Sequence, residues 1–220
     1  MLIDFSKRNV EIARSEFKSH KKGDGKRGPF YASGEYPTFE KNDDLLFRNA
    51  VWQGYLDASR TFYKINTSNR TAFANLAEKI QGFFEGKEKF NHECWCSSFI
   101  NDIKTNNEYE CRYGQAQKVV NMTFKYLYCC DGIDVDKFAD CHMPLDKYTL
   151  AWLFSEGGKF YTDWSYFDQE MYTEVQKEIR TKLKEKCQND VLAAELVIWK
   201  AVPDYIVDLK DIAMRDTVSN

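Results

Sequence analysis

From Asn42 onward, apolar and polar residues alternate with the three-and-four spacing of helices that bury one side. In NDDLLFRNAVWQGYLDASRTFYKI, residues 42–65, an Asn/Asp start signal precedes apolar positions Leu45, Leu46, Val51, Trp52, Tyr55, Leu56 and Phe62. The same spacing predicts further helices over about residues 69–84, 90–104, 115–130, 146–154, 168–186 and 190–200. Pro144 and Pro203 fall at boundaries of these segments. Residues 1–42 carry no sustained helical period, and SHKKGDGKRGPFYASGEYP (19–37) combines glycine, proline and positive charge. The pattern predicts an all-α protein, with a basic, loop-rich N-terminal arm over 1–42 and a single helical domain over 43–220. Helices joined by modest loops point to a bundle-like architecture with a groove between two lobes.

One of these helices is unusual. YGQAQKVVNMTFKYLY, residues 113–128, reads as a glycine turn running into an apolar helix that nevertheless carries Lys118 and Lys125. At about 100° per residue, Gln117, Asn121, Lys125, Tyr128 and Lys118 share one narrow arc, and Val119, Val120, Met122, Phe124, Tyr126, Leu127 and Cys130 fill the rest. The strip must meet either solvent or a polar cleft. Downstream, CHMPLDKYTLAWLF (141–154) places Asp146 just after Pro144, where it caps a helix with apolar positions Leu150, Leu153 and Phe154.

With 220 residues, the chain has room for one substantial core, whole or split into two lobes around a cleft. Its formal charge of -3 gives no global attraction for a polyanion, so any nucleic-acid contact has to come from local basic patches. The 15% aromatic content argues against disorder. Seven cysteines, with Cys94/Cys96 and Cys129/Cys130 closely spaced in expected helices, do not read as a secreted disulfide framework. The start, MLIDFSKRNV, does not read as a secretory signal, and no segment approaches the roughly 20 apolar residues that span a bilayer. A cytoplasmic, monomeric protein without a membrane partner is expected, and the N-x-S/T matches at Asn66, Asn69 and Asn121 are taken as chance.

Three local motifs add little. GDGKRG (23–28) has the G-x-G-x-x-G form but lacks the preceding strand and following helix that a dinucleotide site needs, so it reads as a basic loop able to touch phosphate. NHECWC brings His92, Cys94 and Cys96 together, and Cys111, Cys141 and His142 could complete a soft-ligand zinc set. The paired C-x-x-C spacing is missing, and these thiols read as small apolar fillers. A Cys141–His142 nucleophile is disfavoured because neighbours in sequence rarely face each other and no nucleophile turn accompanies them. Neither a metal nor a cofactor is expected.

A glycine-led turn, a lysine early in the next helix and a Pro-x-Asp at the start of a later helix, here Gly114, Lys118, Pro144 and Asp146, resemble the helix–hairpin–helix DNA glycosylases. The likeness is closest to the archaeal 8-oxoguanine glycosylase branch, in which the lysine-to-aspartate gap is long. AELVIW (194–199) sets Glu195 four residues before Trp199, the spacing at which that branch carries a carboxylate and a tryptophan. The resemblance covers roughly residues 110–200. It departs from the family in CRYGQ, which stands where LPGVG is usual, and in Glu195, which stands for aspartate.

The resemblance implies a two-lobed helical fold with a helix–hairpin–helix element and a central cleft, and DNA containing a damaged or modified base as partner. Lys118 would attack C1′ to give a Schiff base followed by β-elimination, and Asp146 would stabilise the oxocarbenium charge. Glu195 and Trp199 would grip the extruded base, the turn at Gly114 would hold a phosphate, and Gln117 and Lys125 would line the cleft, Lys125 as tuner or phosphate contact. The arm residues Lys18, Lys21, Lys22, Lys26 and Arg27 would add phosphate contacts. The alternatives are an inactive relative that binds DNA or protein, one of them in antiviral defence, and a small helical interaction protein in which Lys118 and Asp146 are exposed polar residues.

Overall fold

A computed structural model describes residues 3–23, 36–62, 70–107, 110–159, 161 and 163–202. Among them lie eight α-helices: α1 (Lys7–Gly23), α2 (Asp44–Ala58), α3 (Arg70–Phe84), α4 (His92–Asn107), α5 (Tyr113–Tyr128), α6 (Lys147–Ser155), α7 (Gln169–Glu185) and α8 (Val191–Ala201). No strand occurs among the described residues; Thr38 and Asp131 form a single isolated bridge. The fold is all-α, as the apolar spacing predicts. No helix among the described residues is long and apolar enough to cross a membrane.

Four helices begin on an aspartate. Asp43, Asp146, Asp168 and Asp190 each accept backbone N–H bonds from the first turn of α2, α6, α7 and α8. Each cap satisfies donors that the helix itself leaves unpaired and places a negative charge at the positive end of the dipole.

Helix α5 is the axis of the assembly, and all of its residues are buried. It packs most extensively on α2, then on α4 and α7, with the short turn Trp164–Tyr166 against its N-terminal end. The two helices approach closely at Gly54 of α2, where a Cβ would stand 2.6 Å from the Val119 carbonyl oxygen. On its apolar sides Phe124 sits among Phe83, Phe84, Phe90, Trp95 and Phe138, at ring separations of 5.4–6.3 Å. Such rings bury large apolar surfaces and help hold the helix in place.

The N-terminal region differs from the loop-rich arm that the sequence predicts. Residues 7–23 form α1, which lies on α8. Only Val10, Ala13 and Phe17 give it an apolar stripe, set among Lys7, Arg8, Glu11, Arg14, Glu16 and Lys18, so the helical period is faint without its partner. Docking buries Ala13 and Phe17 almost completely, and Lys200 on α8 pairs with Glu16 at 2.6 Å. Tertiary burial, rather than propensity, makes this segment a helix. The GDGKRG stretch beyond Gly23 lies outside the described residues.

Candidate active site

The polar strip of α5 is buried, and it reaches towards solvent at Asp146, the partner of Lys118. Each member has found a partner on the chain that leads into α6, on α7, or at α8 and its cap. Gln117 donates to the carbonyls of Gly114 and Leu145 at 2.9 and 3.4 Å, and its Oε1 accepts from Leu145 N–H at 3.3 Å. Asn121 donates to Gln117 Oε1, to the Met143 carbonyl and to the Tyr172 hydroxyl. Gln176 on α7 closes the seam by donating to the Met143 carbonyl at 2.7 Å and accepting from Met143 N–H at 3.1 Å. Residues 143–145 are thus pinned between α5 and α7, which fixes where Asp146 begins α6.

Behind the seam stand two histidines. Burial, then the neighbouring His142, hold His92 well below the ordinary imidazole range, and burial with Arg180 brings His142 down to about 4. With both rings neutral, His92 Nε2–H donates to Asn121 Oδ1 at 2.9 Å and the Tyr172 hydroxyl donates to His142 Nδ1 at 2.9 Å. His92 stacks on Tyr172 with 7° between ring planes, and lies against Cys96 Sγ. Among the described residues no three His, Cys, Asp or Glu side chains are placed to hold a metal ion. Burial raises the Cys96, Cys111 and Cys141 thiols, Cys111 to about 12, which leaves them protonated.

Lys118 and Asp146, 28 residues apart in sequence, meet at 2.7 Å between Nζ and Oδ2. The lysine side chain is 6% exposed and the aspartate 18%, so the pair borders solvent on the carboxylate side. The other carboxylate oxygen, Oδ1, accepts the Tyr148 and Thr149 N–H groups at 2.9 and 3.1 Å. Burial alone would raise this carboxyl, but the Lys118 ammonium, the Thr149 amide and the charge of Lys125 bring it below its ordinary value. Asp146 is therefore the helix cap that the sequence predicts and also the partner of Lys118.

Lys125 has its own carboxylate. Its Nζ lies 2.5 Å from Glu195 Oε2, with side chains 1% and 2% exposed. Burial raises the Glu195 carboxyl above its ordinary value, and the Lys125 and Lys118 charges only partly offset this. The ammonium also lies 5.3 Å from the ring centre of Trp199 and 4.4 Å from that of Phe17. Phe17 and Trp199 meet edge to face at 5.5 Å, so α1 covers this end of the cluster.

The structure therefore brings Lys118, Lys125, Asp146, Glu195 and Trp199 into one electrostatically coupled group, with Gln117 in the seam beside it. Gly114 sits one turn before Lys118. A Cβ there would stand 2.1 Å from the Trp164 carbonyl oxygen, and its N–H already donates to the Phe167 carbonyl at 2.9 Å. Its backbone is thus engaged in holding the 164–167 turn, and a phosphate would have to compete for that amide.

Phe17, Trp164 and Tyr172 join the group without having been legible as members; Trp164 lies 5.9 Å from Lys118 Nζ. Of the arm residues, Lys18 is paired with Asp131 at 2.7 Å, while the side chains of Lys21 and Lys22, together with Lys26 and Arg27, lie outside what is described. An open groove of about 580 Å³ bordered by Arg14, Lys18, Tyr36 and Asp131 contains none of the clustered residues. No protein-family model matches the chain, and no curated protein and no solved structure matches it.

Proposed function

We propose that the protein is a DNA glycosylase with lyase activity that excises a damaged or modified base. The observation that carries this reading is the Lys118–Asp146 pair: a buried amine 2.7 Å from a carboxylate held ionised, at the edge of a cluster that also contains a carboxylate and a tryptophan. Asp146 is suited to carrying negative charge beside an oxocarbenium-like sugar, and its depressed pKa makes it a poor long-term holder of a proton. The sugar would displace Lys118 from the ion pair. The ammonium passes one proton to solvent by way of Asp146, and the neutral amine nitrogen then forms a bond to C1′ as the N-glycosidic bond breaks, the departing base nitrogen taking up a second proton from that nitrogen. Ring opening gives the Schiff base, and loss of a C2′ proton expels the 3′ phosphate.

Glu195 and Trp199 would face the extruded base, one bonding its edge and the other stacking on its plane. Since Phe17 covers Lys125 and Trp199, a base can enter only if that contact opens. Oxidised guanine is the first substrate to test, by the family resemblance, with hypermodified bases next. A second reading has support in the closed Lys125–Glu195 pair: a helical binding module in which both ion pairs are purely structural.

Borohydride reduction on oligonucleotides carrying single modified bases separates the two. Wild type and Lys125→Gln are expected to give a covalent adduct, and Lys118→Gln none. Asp146→Asn is expected to lose base excision by orders of magnitude while keeping more activity on a pre-formed abasic site. No adduct on any modified or abasic DNA would leave the binding module.

A further inference from the structure

Beside the Lys118–Asp146 pair the chain presents an aromatic surface with no role in the chemistry above. Tyr166, in the turn between α6 and α7, is 65% exposed, and the Arg112 guanidinium lies 3.8 Å from its ring centre. Among the described residues that guanidinium makes no ion pair. Two further cation–aromatic contacts stand nearby: Lys118 with Trp164 at 5.9 Å, and Lys147 with Tyr148 at 4.8 Å, Lys147 being the residue after Asp146. Three cation–aromatic contacts thus involve Arg112, Lys118 and Lys147, the second a member of the ion pair and the third the sequence neighbour of Asp146.

The turn is held firmly. Asp163 enters it in the left-handed region, with φ 39°, and the Tyr166 N–H returns to the Asp163 carbonyl at 2.8 Å. The Trp164 carbonyl is seated against the Cα of Gly114, and Phe167 accepts the Gly114 N–H. Those contacts tie the turn to the first turn of α5, the helix that carries Lys118. An exposed tyrosine, stacked on one face by arginine and open to solvent elsewhere, is therefore fixed relative to the amine. An exposed cation–aromatic contact contributes only about 0.5–1 kcal/mol to a fold, so stability alone gives little reason to build it so firmly.

Resting on the glycosylase reading, we propose that Tyr166 and Arg112 form a stacking platform for the nucleobase next to the reacting nucleotide on the same DNA strand, with Arg112 and Lys147 facing its phosphates. Every base has a π-face, so such a platform is tolerant of sequence, and the arginine beneath strengthens it while meeting the backbone charge. Trp164 at the amine and Tyr166 two residues further along the turn set the contact about one nucleotide from the site of attack.

A double-mutant cycle tests the platform without using the chemistry. The probe is a fluorescein-labelled 15-nucleotide single strand with a central tetrahydrofuran abasic analogue, which offers no base to excise, and its affinity is read by anisotropy. In a second probe the neighbouring base is also removed, on either side in turn. Tyr166→Ala is expected to weaken binding of the first probe by about 5- to 150-fold, the range for one stacked base, and to change little when the neighbour on one side is missing. Tyr166→Phe should bind as wild type, and thermal unfolding of Tyr166→Ala should be unchanged. Equal losses on all probes, or no loss on any, would overturn the platform, as would failure of wild type to bind. Coupling without a borohydride adduct would keep the platform and sink the lyase reading; an adduct without coupling would do the reverse.

Discussion

Lys125 and Glu195 show how a single buried pair can govern a stretch of protein. Removing one partner of such a pair leaves an uncompensated group inside the fold, at a cost of about 3–5 kcal/mol. In Lys125→Met, Glu195 loses the cation that restrains its pKa, already raised by burial, so the carboxyl rises further. A carboxyl raised in the folded state contributes stability below its unfolded value of about 4.3 and loses it as pH rises through the folded value. Urea unfolding should therefore show Lys125→Met close to wild type near that pH and increasingly weaker towards neutral. Glu195→Gln introduced into the same variant should abolish the pH dependence; an equal cost at every pH would assign the loss to packing alone. The sequence places Lys118 and Lys125 on one arc of α5, but it does not say that each has a private carboxylate. Asp146 was visible as a cap, and its second role depends on a chain path that only the fold defines.

Among the elements, the contact between the 164–167 turn and α5 depends on one missing methyl group. Gly114→Ala would place a carbon 2.1 Å from the Trp164 carbonyl oxygen, backbone that cannot rotate away. The turn must move, and overpacking of this kind costs about 1–3 kcal/mol. Gly82→Ala in α3 is the control: its Cβ meets only the Glu88 side chain at 3.4 Å, and the helical gain of alanine should leave stability unchanged or higher. Thermal unfolding of the two variants should separate them clearly; equal midpoints would mean the turn is not clamped at Gly114. Helices α2 to α8 were legible because each has an apolar stripe, with an Asn/Asp start signal marking α2 and Asp146 marking α6. Helix α1 was not, since Ala13 and Phe17 gain their meaning from α8. The seam of Gln117, Asn121, Tyr172 and Gln176 was hidden for a related reason: a polar residue on a helix looks the same in sequence whether it meets water or a distant partner. Trp164 was unreadable because its place follows from a close backbone approach, not from helical spacing.

Across the whole molecule, charge and the docking of α1 together bear on how DNA would be held. With 31 basic and 34 acidic residues, the chain has no long-range pull on a polyanion, so attraction must be local. Lys18 does not supply it, being neutralised by Asp131. The basic stretch that follows is carried by a helix whose Phe17 touches Lys125 and Trp199. At 1.5 Å per residue, Gly23 ends α1 only about 9 Å beyond Phe17. Lys21, Lys22, Lys26 and Arg27 follow Phe17 closely in sequence. If each neutralises a phosphate of duplex DNA, replacing all four by glutamine should flatten the log–log salt dependence of binding by about 3.6, four contacts at about 0.9 each. Borohydride trapping on saturating abasic DNA should survive, because Lys118 and Asp146 are unchanged. A salt slope equal to that of wild type would place the arm outside the interface and leave the attraction to Arg112 and Lys147 at the rim of the site.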